Sequence, residues 1–468
     1  MNLKKDQAVH YQLRIAGKHY ESLQQHLFPG DGKEAVAVAL CGRYERDGIS
    51  VLLTHKIELI PHDECERDAL FVNWKTERII PFLEEAEKHN LAILKIHSHP
   101  TGYPQFSKTD DQSDSELFTS VFGWCDYDGV HASAVMVPDG SIFGRVFTHD
   151  LRTFPIEKIS VAGNVIKIFE NKKAVEDDFS LRTRQAFGDE TYNKLRQMKI
   201  GIIGCSGTGS PTIEQLVRLG VGTIVIVDPD TVEKKNLNRI LNTTMEDAEN
   251  SRFKTDVLYD SIGKIGLGTV VERYNVNLYD SREALETLIG CDVICGCVDS
   301  VDGRHLMSQL SNFYLVPYFD LGVRLDADGA GGIKAINASI HYIQPGCSTL
   351  FSRGLYNSQR LADEALRRQS PEDFAALEKQ GYVHNANVDR PAVISINMQI
   401  SSMAVNELLN RLHPFKDEDP ENYARIMMDY TGGCIINQAE DEFEQDSAAA
   451  KWVGRGDCRP FLRMMELR

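Results

Sequence analysis

The sequence predicts an α/β protein of two successive domains, and three observations carry that prediction. The chain has 468 residues, long enough for more than one hydrophobic core. Its first third ends a short apolar strand on His97-Ser98-His99-Pro100 and follows it with a helix. Its second half opens with an apolar strand, a glycine-rich turn and an amphipathic helix in immediate succession.

In the first domain the run Leu91–Ile96 reads as a buried strand that delivers His97 and His99. Side chains alternate along a strand, so imidazoles one residue apart point the same way. Seven residues separate His99 from Ser107, and Asp110 lies just inside a helix starting near Ser107. Two imidazoles and a carboxylate would leave one position of a tetrahedral zinc open, the catalytic and not the structural pattern.

In the second domain Lys199-Ile-Gly-Ile-Ile-Gly204-Cys-Ser-Gly207-Thr-Gly209 is a strand running into a phosphate-type loop. The helix carrying Ile213, Leu216 and Val217 follows, then the strand Thr223–Val227 ending at Asp228. A βαβ unit of this kind offers backbone N–H groups to phosphates and a carboxylate to a ribose hydroxyl. Asn236 and Arg239, so soon after Asp228, suit a nucleoside triphosphate better than a nicotinamide.

His97, Ser98, His99, Ser107 and Asp110 resemble the JAMM (MPN-plus) zinc metalloprotease pattern over roughly residues 30–150. The resemblance implies a cytidine-deaminase-like α/β domain with strands at 49–59 and 131–148 and a helix at 77–90. It also implies a carboxylate on the family's first strand, for which Glu34, opening Glu34–Arg43, is the choice over Glu45 and Glu58. An ionised Glu at the head of an apolar strand is costly to bury without a partner. Zinc brings the pKa of a coordinated water to about 7, and Glu34 would carry its proton to the leaving amine. Ser107 would stabilise the oxyanion, its other use being the N-cap of the helix after it. The implied substrate is an amide or isopeptide after the C-terminus of a ubiquitin-like protein.

Residues 228–239, Asp-Pro-Asp-Thr-Val-Glu-Lys-Lys-Asn-Leu-Asn-Arg, resemble the ThiF/MoeB and ubiquitin-activating family of adenylyltransferases, a Rossmann-like fold, over roughly 178–415. Gly204, Gly207, Gly209 and Asp230 belong to that nucleotide-binding stretch. By resemblance Asp228 binds the ribose, Asn236 and Arg239 the phosphates, Lys254 is the family lysine, and Asp299 binds Mg²⁺. Arg182-Thr-Arg184-Gln185 resembles a leading segment whose arginine, Arg184, serves the ATP site of the partner subunit in a homodimer. Ser206 and Ile240 depart from the pattern, and no Cys-x-x-Cys occurs anywhere, so no structural zinc is expected here. Cys347 and Cys434 are the candidates for a thioester; the expectation is that the chain makes only the adenylate.

The domains are placed at 1–155 and 178–468, the second with a C-terminal extension, joined by a linker at 156–177 that holds one strand and the charged run Glu170–Asp178. A net charge of -17 argues against nucleic acid. No apolar run approaches a membrane span, and ten scattered cysteines read as a reduced, cytoplasmic protein. Segments 358–368 and 371–380 read as helices of an insertion or docking element. Pro391–Leu412 reads as a core helix, with His384, Asn385 and Asn387 before it near the nucleotide face. Glu440–Asp446 reads as a surface loop. Together the two resemblances imply a bifunctional enzyme that adenylates a ubiquitin-like C-terminus with ATP and Mg²⁺ and cleaves after that C-terminus with zinc. A conjugating enzyme would be a further partner. Similar pairings occur in bacterial ubiquitin-like operons, some linked to phage defence. The alternatives are sulfur-carrier activation for cofactor or cysteine biosynthesis, and an inactive scaffold that binds the ubiquitin-like protein.

Overall fold

A computed structural model of the chain describes residues 9–125, 127–170, 179–328, 330, 332–380, 393–465 and 467. The candidates His384, Asn385 and Asn387 and most of the run Glu170–Asp178 lie outside the described residues. The chain divides into two compact units. Among the described residues the first comprises those of 9–170 with 313–315 and 451–463; the second comprises the rest.

The first unit runs β1 (His10–Ala16), α1 (Gly17–Leu27), β2 (Val36–Arg46), β3 (Ile49–Leu59), β4 (Cys65–Arg67), β5 (Val72–Trp74), α2 (Ile80–His89), β6 (Ala92–Ser98), α3 (Lys108–Trp124), β7 (His131–Met136), β8 (Ile142–Phe147), β9 (Thr153–Ala162) and β10 (Ile166–Glu170). Its main sheet has the order β1-β3-β2-β6-β7-β8-β9-β10, and a further β1–β9 pairing closes it on itself. Strands β2 and β6 are apolar on both faces because two cores flank them. Ala37, Ala39, Leu94 and Ile96 face one core with Leu13, Ile15 and Val161. Val38, Leu40 and Ile93 face the other, under Leu117, Phe118 and Val121 of α3. Helix α3 starts at Ser107, whose Oγ accepts from the Asp110 N–H while the Asp110 carboxylate accepts from the Ser107 N–H, a capping box.

The expected linker is corrected here, because residues 156–170 lie largely in β9 and β10 of this sheet. Strand β9 pairs in parallel with β1, Leu13 opposite Ile159. Pro155, Glu157 and Lys158 mask its alternation, and its partner is far away in sequence. The returning segment 451–463 also belongs to this unit and not to the second domain where it was expected. The Gly42 N–H donates to the Gly454 carbonyl at 3.2 Å and the Asp457 N–H to the Arg43 carbonyl at 2.8 Å. A Cβ on Gly42 would meet that Gly454 carbonyl at 2.2 Å, so the close approach depends on glycine.

The second unit continues with α4 (Leu181–Gln197), β11 (Lys199–Ile203), α5 (Gly209–Arg218), β12 (Thr223–Val227), α6 (Met245–Glu249), α7 (Lys254–Ile265), β13 (Val270–Tyr274), α8 (Arg282–Ile289), β14 (Val293–Gly296), α9 (Val301–Tyr314), β15 (Tyr318–Ala327), β16 (Ile333–Ile343), α10 (Ser358–Gln369), α11 (Pro371–Lys379), α12 (Ile394–Leu412), β17 (Arg425–Asp429) and β18 (Cys434–Gln438). Its sheet order is β13-β12-β11-β14-β15-β16-β17-β18. The pairs from β13 to β15 are parallel and those from β15 to β18 antiparallel. Strand β12 lies on one side of β11 and β14 on the other, so the chain switches direction at the loop after β11. Open α/β sheets bind ligands at such a switch point. Among the described residues no helix is long and apolar enough to cross a membrane.

The acidic stretch Glu440–Asp446 is mostly exposed, as expected of a surface loop, but its first residue has a structural task. Glu440 accepts from the Ser348 N–H at 2.7 Å and pairs with the buried Arg353 at 2.8 Å. A buried guanidinium needs that carboxylate, and nothing local in the sequence announces it.

Candidate functional site

Strand β6 and helix α3 bring His97, His99 and Asp110 together in the first unit. The two Nε2 atoms are 3.2 Å apart; Asp110 oxygens lie 3.0 Å from that of His97 and 3.3 Å from that of His99. Donors around a tetrahedral zinc with bonds of about 2.0–2.1 Å sit about 3.3–3.4 Å from one another. The triangle therefore fits such an ion, and these are the described residues whose donor atoms cluster this way. His99 Nδ1 lies 2.8 Å from the Tyr103 carbonyl, an acceptor for an N–H on that nitrogen, so the neutral ring would present its lone pair on Nε2 toward the triangle. Burial lowers the His97 pKa, against the opposing pull of Asp110. Burial alone would raise the Asp110 carboxyl, but its bonds to both imidazoles hold it well below the usual carboxylate range.

Ser98, between the two histidines, points the other way and pins the neighbouring strand. Its N–H donates to the Ala35 carbonyl at 3.0 Å, and its Oγ accepts from the Ala35 N–H at 2.9 Å. That pairing sets Glu34, the next residue back, beside His99. Glu34 is 4% exposed, and burial pushes its carboxyl up to about 7, against the opposing pull of His99. The rival carboxylates fare otherwise: Glu45 is exposed, and Glu58 is paired with Arg78 at 3.0 Å. The Glu34 backbone is gripped on both sides. Its N–H donates to the Asp68 carbonyl and its carbonyl accepts from Arg67 Nε, both at 2.7 Å. The Ser107 hydroxyl oxygen is engaged in the helix cap at 3.1 Å, which leaves its hydrogen to donate.

In the second unit the loop after β11 is shaped by its glycines. Gly204 has φ +90°, and a Cβ on Gly209 would lie 1.8 Å from the Gly204 carbonyl. A Cβ on Gly207 would meet the Asn397 side chain at 2.3 Å and Arg239 Cδ at 3.2 Å. Asp228 is 4% exposed and accepts from the Cys205 N–H at 2.7 Å and the Asp230 N–H at 2.9 Å. Burial raises its carboxyl nonetheless. Lys254, at the start of α7, reaches Asp230 at 2.7 Å and Asp228 at 3.5 Å. Burial would lower the Lys254 ammonium, but these two carboxylates raise it. Asn236 is buried, and its Oδ1 accepts from the Glu233 N–H at 3.1 Å, so it orders the turn carrying Arg239. Asp299 is exposed in the loop after β14, at the same end of the sheet as Asp228.

Arg184 pairs with Asp189 across the non-helical Gly188 that interrupts α4, Nε to Oδ1 at 2.5 Å. Cys347 is buried and Cys434 is exposed at the start of β18. Two features of the site escaped sequence reasoning. Helix α12 reads as core filler, yet Asn397 abuts Gly207 and Ser401 donates to the Thr208 carbonyl at 2.8 Å. Glu364 of α10 accepts from the N–H groups of Val301 and Asp302 at 2.6 and 3.0 Å, closing the N-terminus of α9 beside the Asp299 loop.

The model of the ThiF family matches residues 180–436, more than half of the chain. The chain belongs to the ThiF family. A second family model, prokaryotic homologs of the JAB domain, matches residues 17–149, so the chain is a fusion of a JAB-like and a ThiF unit. Among curated relatives, ubiquitin-like modifier-activating enzyme 5 of Oryza sativa subsp. japonica is 26% identical over 176 residues, 35% of this chain and 39% of that one. Its namesake in Arabidopsis thaliana is 25% identical over 179 residues, again 35% and 39%. This chain spans about two fifths of the length of these relatives. Among solved structures, E. coli MccB with ATP aligns at 16% identity over 58% of this chain and 74% of that one, with a TM-score of 0.42. That likeness is too loose to carry function.

Proposed function

We propose that the chain is a two-site enzyme acting on the C-terminus of a ubiquitin-like protein. The ThiF unit adenylates that carboxylate with ATP, and the JAB-like unit hydrolyses an amide or isopeptide formed at the same C-terminus. The observation that carries the hydrolytic half is the buried triangle of His97, His99 and Asp110 with Glu34 beside it. When bound there, zinc supplies a Lewis acid and a water acidic enough to be deprotonated near neutral pH. The two imidazoles hold it through Nε2 and Asp110 through its carboxylate. Glu34 takes the proton of the attacking water and returns it to the leaving amine, a task that suits a carboxyl poised near 7. Ser107 donates its hydroxyl hydrogen to the carbonyl oxygen as charge builds on it.

In the ThiF unit the N–H groups of the 204–209 loop, at the N-terminus of α5, receive phosphate oxygens. Asp228 takes the ribose hydroxyls, Asn236, Arg239 and Lys254 serve the phosphates, and Asp299 holds Mg²⁺. An oxygen of the incoming carboxylate attacks the α-phosphorus, and the bond to pyrophosphate breaks. The product is an acyl adenylate, whose AMP is a far better leaving group than the oxygen of a carboxylate. The chain acts as a homodimer in the cytoplasm, with Arg184 serving the neighbouring subunit, and passes the adenylate to a conjugating partner without a thioester of its own.

The test mixes the full chain with candidate ubiquitin-like proteins ending in Gly-Gly and labelled pyrophosphate. ATP–pyrophosphate exchange is expected only with the true carrier, and Asp299→Ala and Arg239→Ala should each abolish it. Exchange that survives both substitutions would place the nucleotide elsewhere. Thiocarboxylate formed on the carrier in the presence of a sulfur donor would favour the sulfur-carrier alternative.

A further inference from the structure

Strand β6 carries a buried lysine two residues before its first metal-facing imidazole. Lys95 is 3% exposed, and its Nζ donates to Asp114 Oδ1 at 2.7 Å and to Ser113 Oγ at 3.2 Å. Asp114 is wholly buried and gives its other oxygen to Arg145 of β8, Nη2 to Oδ2 at 2.8 Å. Arg145 also reaches Asp111 at 2.5 Å, and its guanidinium lies 3.9 Å from the centre of the Phe106 ring, next to the Ser107 cap. One carboxylate thus ties α3 to two strands of the sheet.

The spacing of these residues matches the triangle beside them. Lys95 and His97 share a strand face and are about 6.6 Å apart along it. Asp114 and Asp110 share a helix face and are about 6.0 Å apart along the axis. The pairs His97–Asp110 at 3.0 Å and Lys95–Asp114 at 2.7 Å therefore stack like two rungs between a strand and a helix running in opposite directions. Sliding α3 by one residue would turn Asp110 by about 100° and carry it about 1.5 Å along the axis, away from both imidazoles. For stability alone an apolar pair would serve at least as well, since burying both charges is expensive. What the ion pair adds is direction: short hydrogen bonds that permit one helix position.

We propose that Asp114, clamped by Lys95 and Arg145, is a positioning residue that sets Asp110 against His97 and His99, so that metal affinity depends on an ion pair that touches no metal. The inference rests on the reading of the triangle as a metal centre. Its test compares full-length wild type with Lys95→Met/Asp114→Leu and with Arg145→Gln, using zinc alone in competition with a chromophoric chelator and the visible spectrum of bound Co²⁺. Thermal unfolding of the metal-free proteins is the control. Both variants should lose on the order of 10- to 100-fold in zinc affinity, with an altered Co²⁺ spectrum, while the metal-free double variant unfolds no earlier than wild type. Zinc affinity equal to wild type in the folded double variant overturns the inference and leaves the metal centre standing. If the double variant does not fold, Arg145→Gln decides by the same readout. If wild type takes up no zinc, both the metal centre and this inference fall.

Discussion

In the proposed hydrolysis Glu34 is the proton carrier, and its isostere separates its duties. Glu34→Gln keeps the shape and loses the proton carrier, so zinc content should stay at the wild-type level. Cleavage of a ubiquitin-like precursor should fall by about 10²- to 10⁴-fold. Metal analysis alongside a cleavage assay checks both, and loss of zinc would make Glu34 a ligand instead. Gly209 is a second test at this scale. A methyl there would have to occupy the space of the Gly204 carbonyl, so Gly209→Ala should displace α5, lower the melting temperature and abolish ATP binding measured by calorimetry. Asp114 carries a pH signature. Burial alone would raise its carboxyl, yet Lys95 and Arg145 hold it below the ordinary range. A depressed folded-state pKa stabilises above the unfolded value of about 3.9 and that contribution is lost as pH falls through the folded value. The stability gap between wild type and Asp114→Asn should therefore narrow on acidification below about pH 4, followed by denaturant unfolding.

Among the elements, α10 is read in the sequence as an insertion and turns out to cap α9 through Glu364. A carboxylate there satisfies N–H groups that no intrahelical partner can reach. Glu364→Ala should cost about 1 kcal/mol, seen as a lower melting temperature of the ThiF unit and weaker binding of Mg²⁺–ATP at the adjoining loop. The elements that hold the candidate sites were legible because each announces itself locally: β6 by its apolar run before two histidines, β11 by its glycines, and the helix α3 by Ser107 and Asp110. Strand β1 and the antiparallel half from β16 to β18 were not, and where β9 and β10 lie only one strand was expected, in a linker. Their stability comes from partners distant in the chain, as with Leu13 opposite Ile159. Ile435 and Ile436 of β18 are exposed and carry no burial pattern to read. The contacts of Asn397 and Lys95 stayed hidden for the same reason: a lone Asn or Lys in an apolar run shows its role only when the facing element is known.

At the scale of the whole chain, the first unit is discontinuous: its described residues run to Glu170, include Phe313–Leu315 and resume at Lys451. Ending the chain after Ala450 should lower the melting transition of the JAB-like unit by several degrees or more, because β2 loses the bonds that Gly42 and Arg43 make to the returning segment. The ThiF transition should stay in place, since its strands and switch-point loop lie wholly before the cut. Calorimetry that resolves both transitions checks this, and an unmoved first transition would show the segment to be dispensable. The same discontinuity orders events during synthesis. A ribosome completes the ThiF unit's sheet before it has made the returning segment 451–463 of the JAB-like one. The JAB-like unit therefore matures after the ThiF unit, although its codons are read first.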